Sequence, residues 1–272
     1  MKINSVPVLW HENFFDELEK RSIPFKKIGS RGFDLIQLDT YPLVVHLVDL
    51  KSSLFYVAED FIRLQEAHQE EGIYLVHLWE DVWYTRAAQV MARISSILGL
   101  NKKIHGRQCT IVTISQQEAN VFLDQHHLQF SVKAKYRFGL MKSGQLVAVA
   151  LFSGGRPMPR ISASYLSYEL VRFASISGYT VSGGFTKLLR HFSLSYHPDD
   201  IMSYADRDWS LGNAYARSGF NLVEATAAIP MWVDPVSFTR YFVHRLPNTD
   251  ASEFKPVFNT GNLKYKLYLN GC

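Results

Sequence analysis

The chain has 272 residues, 47% of them hydrophobic and 20% charged, enough apolar content for one large or two ordinary folded domains and too much for an intrinsically disordered protein. With 29 basic against 25 acidic side chains the net charge is +4, a mildly basic balance that permits nucleic acid as a partner without demanding it. Two cysteines, Cys109 and Cys272, exclude a disulfide framework and point to a reducing compartment. The opening stretch MKINSVPVLWHENFF has no export-signal pattern and no apolar run is long enough to span a bilayer, so a cytoplasmic protein with no membrane partner is expected.

Apolar periodicity predicts a helix over 11–21, strands over 25–28, 33–38 and 43–50, a helix over 54–71, a buried strand over 73–79 and a helix over 82–98 stopped by Gly99. This αβββαβα order describes a mixed α/β domain over residues 1–110. Asp34 stands at the start of one strand, and Asp49 and Lys51 end the next, two apart and therefore on one face. Phosphodiester hydrolysis needs such a set: carboxylates hold Mg2+, which polarises the phosphate and activates a water, and a cation steadies the developing charge. The plainer alternative is a solvated strand end and a turn aspartate.

Residues 30–115, which include RLQEAHQEEGIYLVHLWEDVW (63–83) and NKKIHGRQCTIVTIS (101–115), resemble the very-short-patch-repair-type endonucleases and the related homing endonucleases of phages, most specifically in the apolar strand ending in Trp79-Glu80-Asp81. The resemblance implies a PD-(D/E)xK nuclease fold, with Asp34 and Asp49 as metal ligands, Lys51 as the cation and DNA as partner. Those enzymes carry an acid followed by Asn, Gly and aromatic or His residues, where this chain has HLVDLKS (46–52). The site has either drifted toward an Asp-x-Lys form or died. The basic run NKKIHGR (101–107) either contacts phosphate or is a solvated connection.

A second domain is expected over 111–247, with 248–272 as a tail that adds an edge strand or docks on the surface. A strand at 110–114 precedes a helix capped by Ser115 with Ala119, Phe122 and Leu123 inward. Strands over 137–141 and 145–152 form a hairpin turned at Gly144; a polar loop (153–164) and a strand over 168–173 follow. In YTVSGGFTKLLRHFS (179–193), Gly183 and Gly184 open a helix whose apolar face is Phe185, Leu188, Leu189 and Phe192. Paired glycines let a phosphate approach the helix N-terminus, or else they pack a helix tightly on a strand. Next come a strand over 201–205, a polar tip at Asp206–Asp208, a helix capped by Ser210, a stop at Gly219 and a strand from Phe220. The tip is a place for chemistry; the plain alternative makes Tyr215 and Phe220 core aromatics and Asp206 a turn residue.

Over residues 112–246 this order, with VSGGFTKLL and NAYARSGF, resembles the acyl-CoA-binding half of the GNAT acyltransferases. The resemblance implies acetyl-CoA or another acyl-CoA as cofactor, its pyrophosphate on Ser182, Gly183, Gly184 and Thr186, and Tyr215 protonating the departing thiolate. The loop lacks the usual leading Arg or Gln, and Trp209 stands where Asn is common. LVRFAS, VSGGFTKLLRHF and the SYAD-to-Gly-Phe segment are also similar to the phage Mu type of DNA adenine modification protein. That likeness implies Asp206 and Arg172 as site residues, with Glu169 beside them; a structural ion pair of Arg172 with Glu169 or Asp206 is the alternative. The expectation is a protein of mixed α/β class, a nuclease-like αβββαβ domain followed by a GNAT-like domain, acting as a DNA-associated acyltransferase. The alternative is a phage-type endonuclease or a catalytically inactive DNA-binding accessory protein. Acceptor, acyl group and oligomeric state stay open.

Overall fold

Helix α1 (Trp10–Lys20) exists because Trp10, Phe14 and Leu18 fall on one stripe, which with Phe15 is buried. Strands β1 (Phe25–Ser30), β2 (Phe33–Leu38) and β3 (Leu43–Val48) follow as an antiparallel meander. A 3-10 turn (Ser52–Phe55) and α2 (Ala58–Glu70) return the chain so that β4 (Tyr74–Trp79) pairs parallel with β3, from Leu43↔Tyr74 to Val48↔Trp79. All six residues of β3 are buried, as a central strand covered on both faces requires. Helix α3 (Glu80–Ile97) starts directly after β4 and breaks at Arg86 (φ −142°, ψ 25°). Thereafter come β5 (Lys102–His105), β6 (Thr110–Thr113), α4 (Gln116–His126), β7 (Tyr136–Lys142), β8 (Gln145–Phe152), β9 (Arg156–Pro157), β10 (Leu166–Ser175) and β11 (Tyr179–Ser182). The last group is α5 (Gly184–Tyr196), β12 (Asp200–Asp206), α6 (Asn213–Ala216), β13 (Asn221–Ala225), β14 (Pro230–Val233), β15 (Arg240–Phe242), β16 (Lys255–Phe258) and β17 (Asn262–Tyr268). This computed structural model describes residues 9–30, 32–39, 41–246 and 253–269; most of the polar linker after Pro247, and Cys272, lie outside them.

The fold is mixed α/β, and neither of its two compact units is one continuous stretch. The first comprises Met1–Ala87, Asp206–Ser210 and Thr226–Asn262; the second Ala88–Ala205, Leu211–Ala225 and Leu263–Cys272. Linear cuts at 110 and 247 follow chain order, whereas packing sends two later segments back to the first unit.

In the first unit the sheet order is β1-β2-β3-β4, and the element order is the αβββαβ expected from the sequence. A second, antiparallel sheet, β15-β14-β16, contributes Met231, Val233 and Val257 to a core shared with Val48, Leu50, Phe61 and Trp79. The segment 206–210 packs along β4: the His77 amide donates to the Asp208 carbonyl, Tyr74 Oη to the Trp209 carbonyl, and Gln65 Nε2 to the Arg207 carbonyl. The polar tip therefore covers a strand edge that would otherwise be unpaired. Ser210 does not cap the helix after it. The four-residue α6 starts at Asn213, behind Gly212 with φ +71°.

In the second unit the sheet order is β13-β17-β12-β10-β8-β7-β6, with β9 beside the start of β10. The β7–β8 hairpin closes through Ser143 (φ 49°) and Gly144 (φ 78°), the two positive φ values that match the strands' own twist. Ser115 caps α4, as the sequence predicts, and Glu118 completes a capping box with it. Helix α5 lays Leu188, Leu189 and Phe192 on the sheet, and Phe192 stacks on Phe152 at 3.8 Å. The tail supplies two strands: β16, which is an edge strand of the β15-β14-β16 sheet as one of the two expectations held, and β17, which is not at an edge. Strand β17 lies inside the sheet between β12 and β13, because Tyr265 belongs to the buried core and Leu263 and Leu267 pack against it. Among the described residues no helix is long and apolar enough to cross a membrane.

Candidate active site in the second unit

The glycine turn divides its work between two residues. Gly183 takes φ +74°, a left-handed conformation that L side chains rarely adopt. Gly184 is demanded by packing: a Cβ there would lie 2.7 Å from Val181 Cγ1 and 2.9 Å from Leu140 Cδ1. The tight helix-on-strand role is thus real for Gly184, while Gly183 aims the chain. No side chain caps the N-terminus of α5, so its first amides and the positive end of its dipole remain available. They open on a cleft of about 750 Å³ lined by Ser182, Gly183 and Thr186 on one wall and His105, Gly106 and Arg107 on the other. Lys187, Arg190, His191, Ile111 and Leu194 complete the lining, and among the described residues no carboxylate takes part.

The second wall is held by parallel pairing of β5 with β11 and by Lys187, whose Nζ donates to the carbonyls of Gly106 (3.1 Å) and Cys109 (2.5 Å). Lys187 is a staple, which leaves Arg107 and Arg190 as the exposed cations of the cleft. The basic run 101–107, read from sequence as a DNA contact or a connection, supplies Arg107 to this site. Sequence reasoning missed Arg190; its signal was the four-residue spacing from Thr186, which puts both on one helix face.

A second feature lies on β10. Its first residues pair parallel with β12, and the pairing ends at Glu169↔Met202; from Leu170 to Ser175 it pairs with β8 on the other side. A bulge between Leu170 and Arg172 marks the change. Among the described residues β10 and β12 share no ladder pair beyond it, and the contact from β12 to the Leu170 carbonyl is made by the Ser203 hydroxyl. The bulge resets the side-chain alternation, so Glu169 and Arg172, three apart, come to one face. Burial raises the Glu169 pKa, and Arg172 partly offsets this. Arg172 also donates from Nη1 to the Val171 carbonyl.

Tyr215, on α6, stands beside this Ser203 hydroxyl. Its ring packs on Phe185 (5.8 Å), Phe220 (5.4 Å) and Tyr265 (5.2 Å), partly buried against the core. Its phenol is also in a polar network: Ser203 Oγ is 2.9 Å from Tyr215 Oη and 2.8 Å from the Leu170 carbonyl. Burial raises the phenol's pKa, against the lowering effects of the Ser203 hydrogen bond, Arg172 and Arg93, so the group keeps its proton at neutral pH. Asp206 falls in the first unit, where its Oδ1 accepts from the Asp208 amide at 3.1 Å, the turn role its sequence position allowed.

The nuclease-type residues lie on β2 and just beyond the end of β3. Strand β3 ends at Val48, so Asp49 and Lys51 lie in the following turn rather than on a strand face; Lys51 is helical at the entry to the 3-10 turn. Asp49 Oδ1 accepts from Trp10 Nε1 (2.5 Å) and lies 3.2 Å from His11 Nε2, a pairing that lowers its pKa, His11 first. Asp34 is exposed on β2 opposite Gly29 and Leu47. Among the described residues no three His, Cys, Asp or Glu side chains converge as a metal site.

No protein-family model matches this chain, and no curated protein matches its sequence. Solved structures similar to part of it include an IAA acetyltransferase from Bacillus cereus, 15% identical over 59% of this chain and 99% of that one, TM-score 0.38. The ribosomal-protein-S18-alanine N-acetyltransferase from Escherichia coli is 14% identical over 60% of this chain and 96% of its own, TM-score 0.39. A Bacillus subtilis acetyltransferase in complex with CoA is 13% identical over 59% and 99%, TM-score 0.38. With identities and TM-scores this low, the likeness decides neither activity nor substrate.

Proposed function

We propose that the second unit is an acyltransferase of the GNAT type that uses acetyl-CoA or another acyl-CoA. The observation that carries this reading is the uncapped N-terminus of α5, opening through Gly183 into a carboxylate-free cleft beside Arg107 and Arg190. Amides, dipole and guanidiniums together suit a diphosphate, and two glycines keep side chains out of its way. Beyond its last ladder pair with β12 among the described residues, β10 offers hydrogen-bonding groups to an amide-bearing arm, as an added strand would use them. When bound, acyl-CoA supplies the thioester. Glu169, made more basic by burial, takes the proton of the acceptor nucleophile; Tyr215, kept protonated by burial, delivers its proton to the sulfur that leaves. The test is an acetyl-CoA titration followed by thermal unfolding. Ligand at a hundred times its Kd adds about 2.7 kcal/mol, a rise of several degrees. No rise with acetyl-CoA or CoA removes the reading.

DNA is the proposed partner. The support is the αβββαβ order of the first unit and its sequence likeness over 30–115, with Lys51 exposed beyond β3. The unit is read as a DNA-contacting module; among the described residues no three His, Cys, Asp or Glu side chains converge as a metal site. Binding to duplex DNA weakens steeply with salt if phosphates are contacted, because counterions are released. Salt-independent binding, or none, removes DNA from the account.

A further inference from the structure

Ser203 is buried, at 1% exposure, on β12 one residue past the last residue paired with β10. Its hydroxyl has one proton and two acceptors in reach: the Leu170 carbonyl at 2.8 Å and the Tyr215 phenol oxygen at 2.9 Å. Held to Leu170, the hydroxyl ties β12 to β10 where the ladder has ended. Turned to Tyr215, it becomes a donor to the phenol oxygen.

We propose that Ser203 is the positioning residue for Tyr215, its hydroxyl proton moving from the Leu170 carbonyl to the Tyr215 oxygen as the phenol gives up its own proton. The inference rests on the acyltransferase reading for its chemistry. In the step, the Oη–H bond of Tyr215 breaks and an S–H bond forms on the departing thiolate. The phenolate left behind accepts the Ser203 hydrogen bond, and a proton from water later restores the phenol. No redox change occurs. Little else can serve. The groups facing the phenol are Arg172 and Glu169 from β10 and Arg93 from α3, with the rings of Phe185, Phe220 and Tyr265 on the remaining sides. Of these only the arginines oppose negative charge, whereas Ser203 is within hydrogen-bond distance, where a donor to a charged oxygen acts most strongly.

The experiment is a titration of the Tyr215 phenol by 19F NMR in protein carrying difluorotyrosine, the signal assigned by its loss in Tyr215→Phe. Ser203→Ala should raise the pKa of Tyr215 by about one to two, the size of a hydrogen bond to a charged group. Ser203→Cys, which preserves volume but donates weakly, should raise it in the same direction, and Ser203→Thr should restore it. In turnover Ser203→Ala should lower kcat about tenfold or more with KM for acetyl-CoA unchanged. A phenol pKa equal in wild type, Ser203→Ala and Ser203→Cys overturns the proposal. The titration needs no acyl transfer, so absence of turnover in wild type removes the transferase reading alone, and a flat titration removes the Ser203 role alone.

Discussion

Gly106 and Gly184 meet backbone to backbone: a Cβ on Gly106 would lie 2.9 Å from the Gly184 amide nitrogen and 3.0 Å from the Ser182 carbonyl oxygen. One wall of the cleft is thus pressed against the glycine turn that forms the other. Backbone atoms cannot rotate away as a side chain can. Gly106→Ala should therefore cost about 1–3 kcal/mol, the range for overpacking, and displace the turn. The expected outcome is a lower urea midpoint together with weaker acetyl-CoA binding. Undiminished affinity in a folded variant would mean that the cleft does not hold the ligand.

Arg107 and Arg190 should act through charge. A hydrogen bond to a charged group contributes about 1.5–3 kcal/mol, so each Arg→Ala change should weaken CoA binding about tenfold or more. Both arginines are exposed, and salt screens exposed charges, so the deficit should shrink as ionic strength rises. Calorimetric titration at low and high salt reads both effects. The thermal midpoint of the unliganded protein should hardly move.

Tyr215→Phe keeps the ring packing on Phe185, Phe220 and Tyr265, so stability should change by about 1 kcal/mol, the net value of one hydrogen bond. General acid catalysis contributes on the order of 10²- to 10⁴-fold, and kcat should fall by that much while CoA affinity is kept. Equal turnover in the two proteins would leave Tyr215 as core packing only.

The His46 and His77 rings lie on paired positions of β3 and β4, with their Nδ1 atoms 2.9 Å apart, in the core of the first unit. Burial holds His46 down to about 3 and His77 well below its ordinary value, His46 adding to the latter effect. Both are therefore neutral when folded and gain a proton on unfolding below pH 6.5. The unfolded state then binds more protons, so stability is full above about pH 6.5 and is lost as pH falls toward 3. For His46 the loss is about 2 kcal/mol between pH 6.5 and 5, and His77 acts in the same direction. Urea unfolding across that window should show a smaller drop in the His46→Leu, His77→Leu double variant than in wild type.

Much of the fold was legible because burial leaves a local imprint. Alternation and runs of apolar residues marked β1–β4, the β7–β8 hairpin and β10, and the i, i+3, i+4, i+7 stripe marked α5 with its glycines in front. Ser115 announced α4 by capping chemistry that lies within four residues. Each of these signals needs only the neighbours in sequence.

Tertiary structure decided what those elements met. Asp49 and Lys51 have the spacing of a metal-and-cation pair, yet α1 brings Trp10 and His11 onto Asp49 from 38 or more positions away, and strand β3 stops one residue too early. Ser203 carries no local mark at all; its reach to Leu170 and Tyr215 exists where the ladder of β10 with β12 ends at Glu169. Arg107 and Gly106 reach the turn at Gly183 and Gly184 only through the pairing of β5 with β11. Strand β17 sits inside its sheet rather than at the edge because Tyr265, Leu263 and Leu267 find a core built by residues far earlier in the chain. Periodicity records that a side chain is buried, and loop closure and strand pairing over long separations choose which side chain it is buried against.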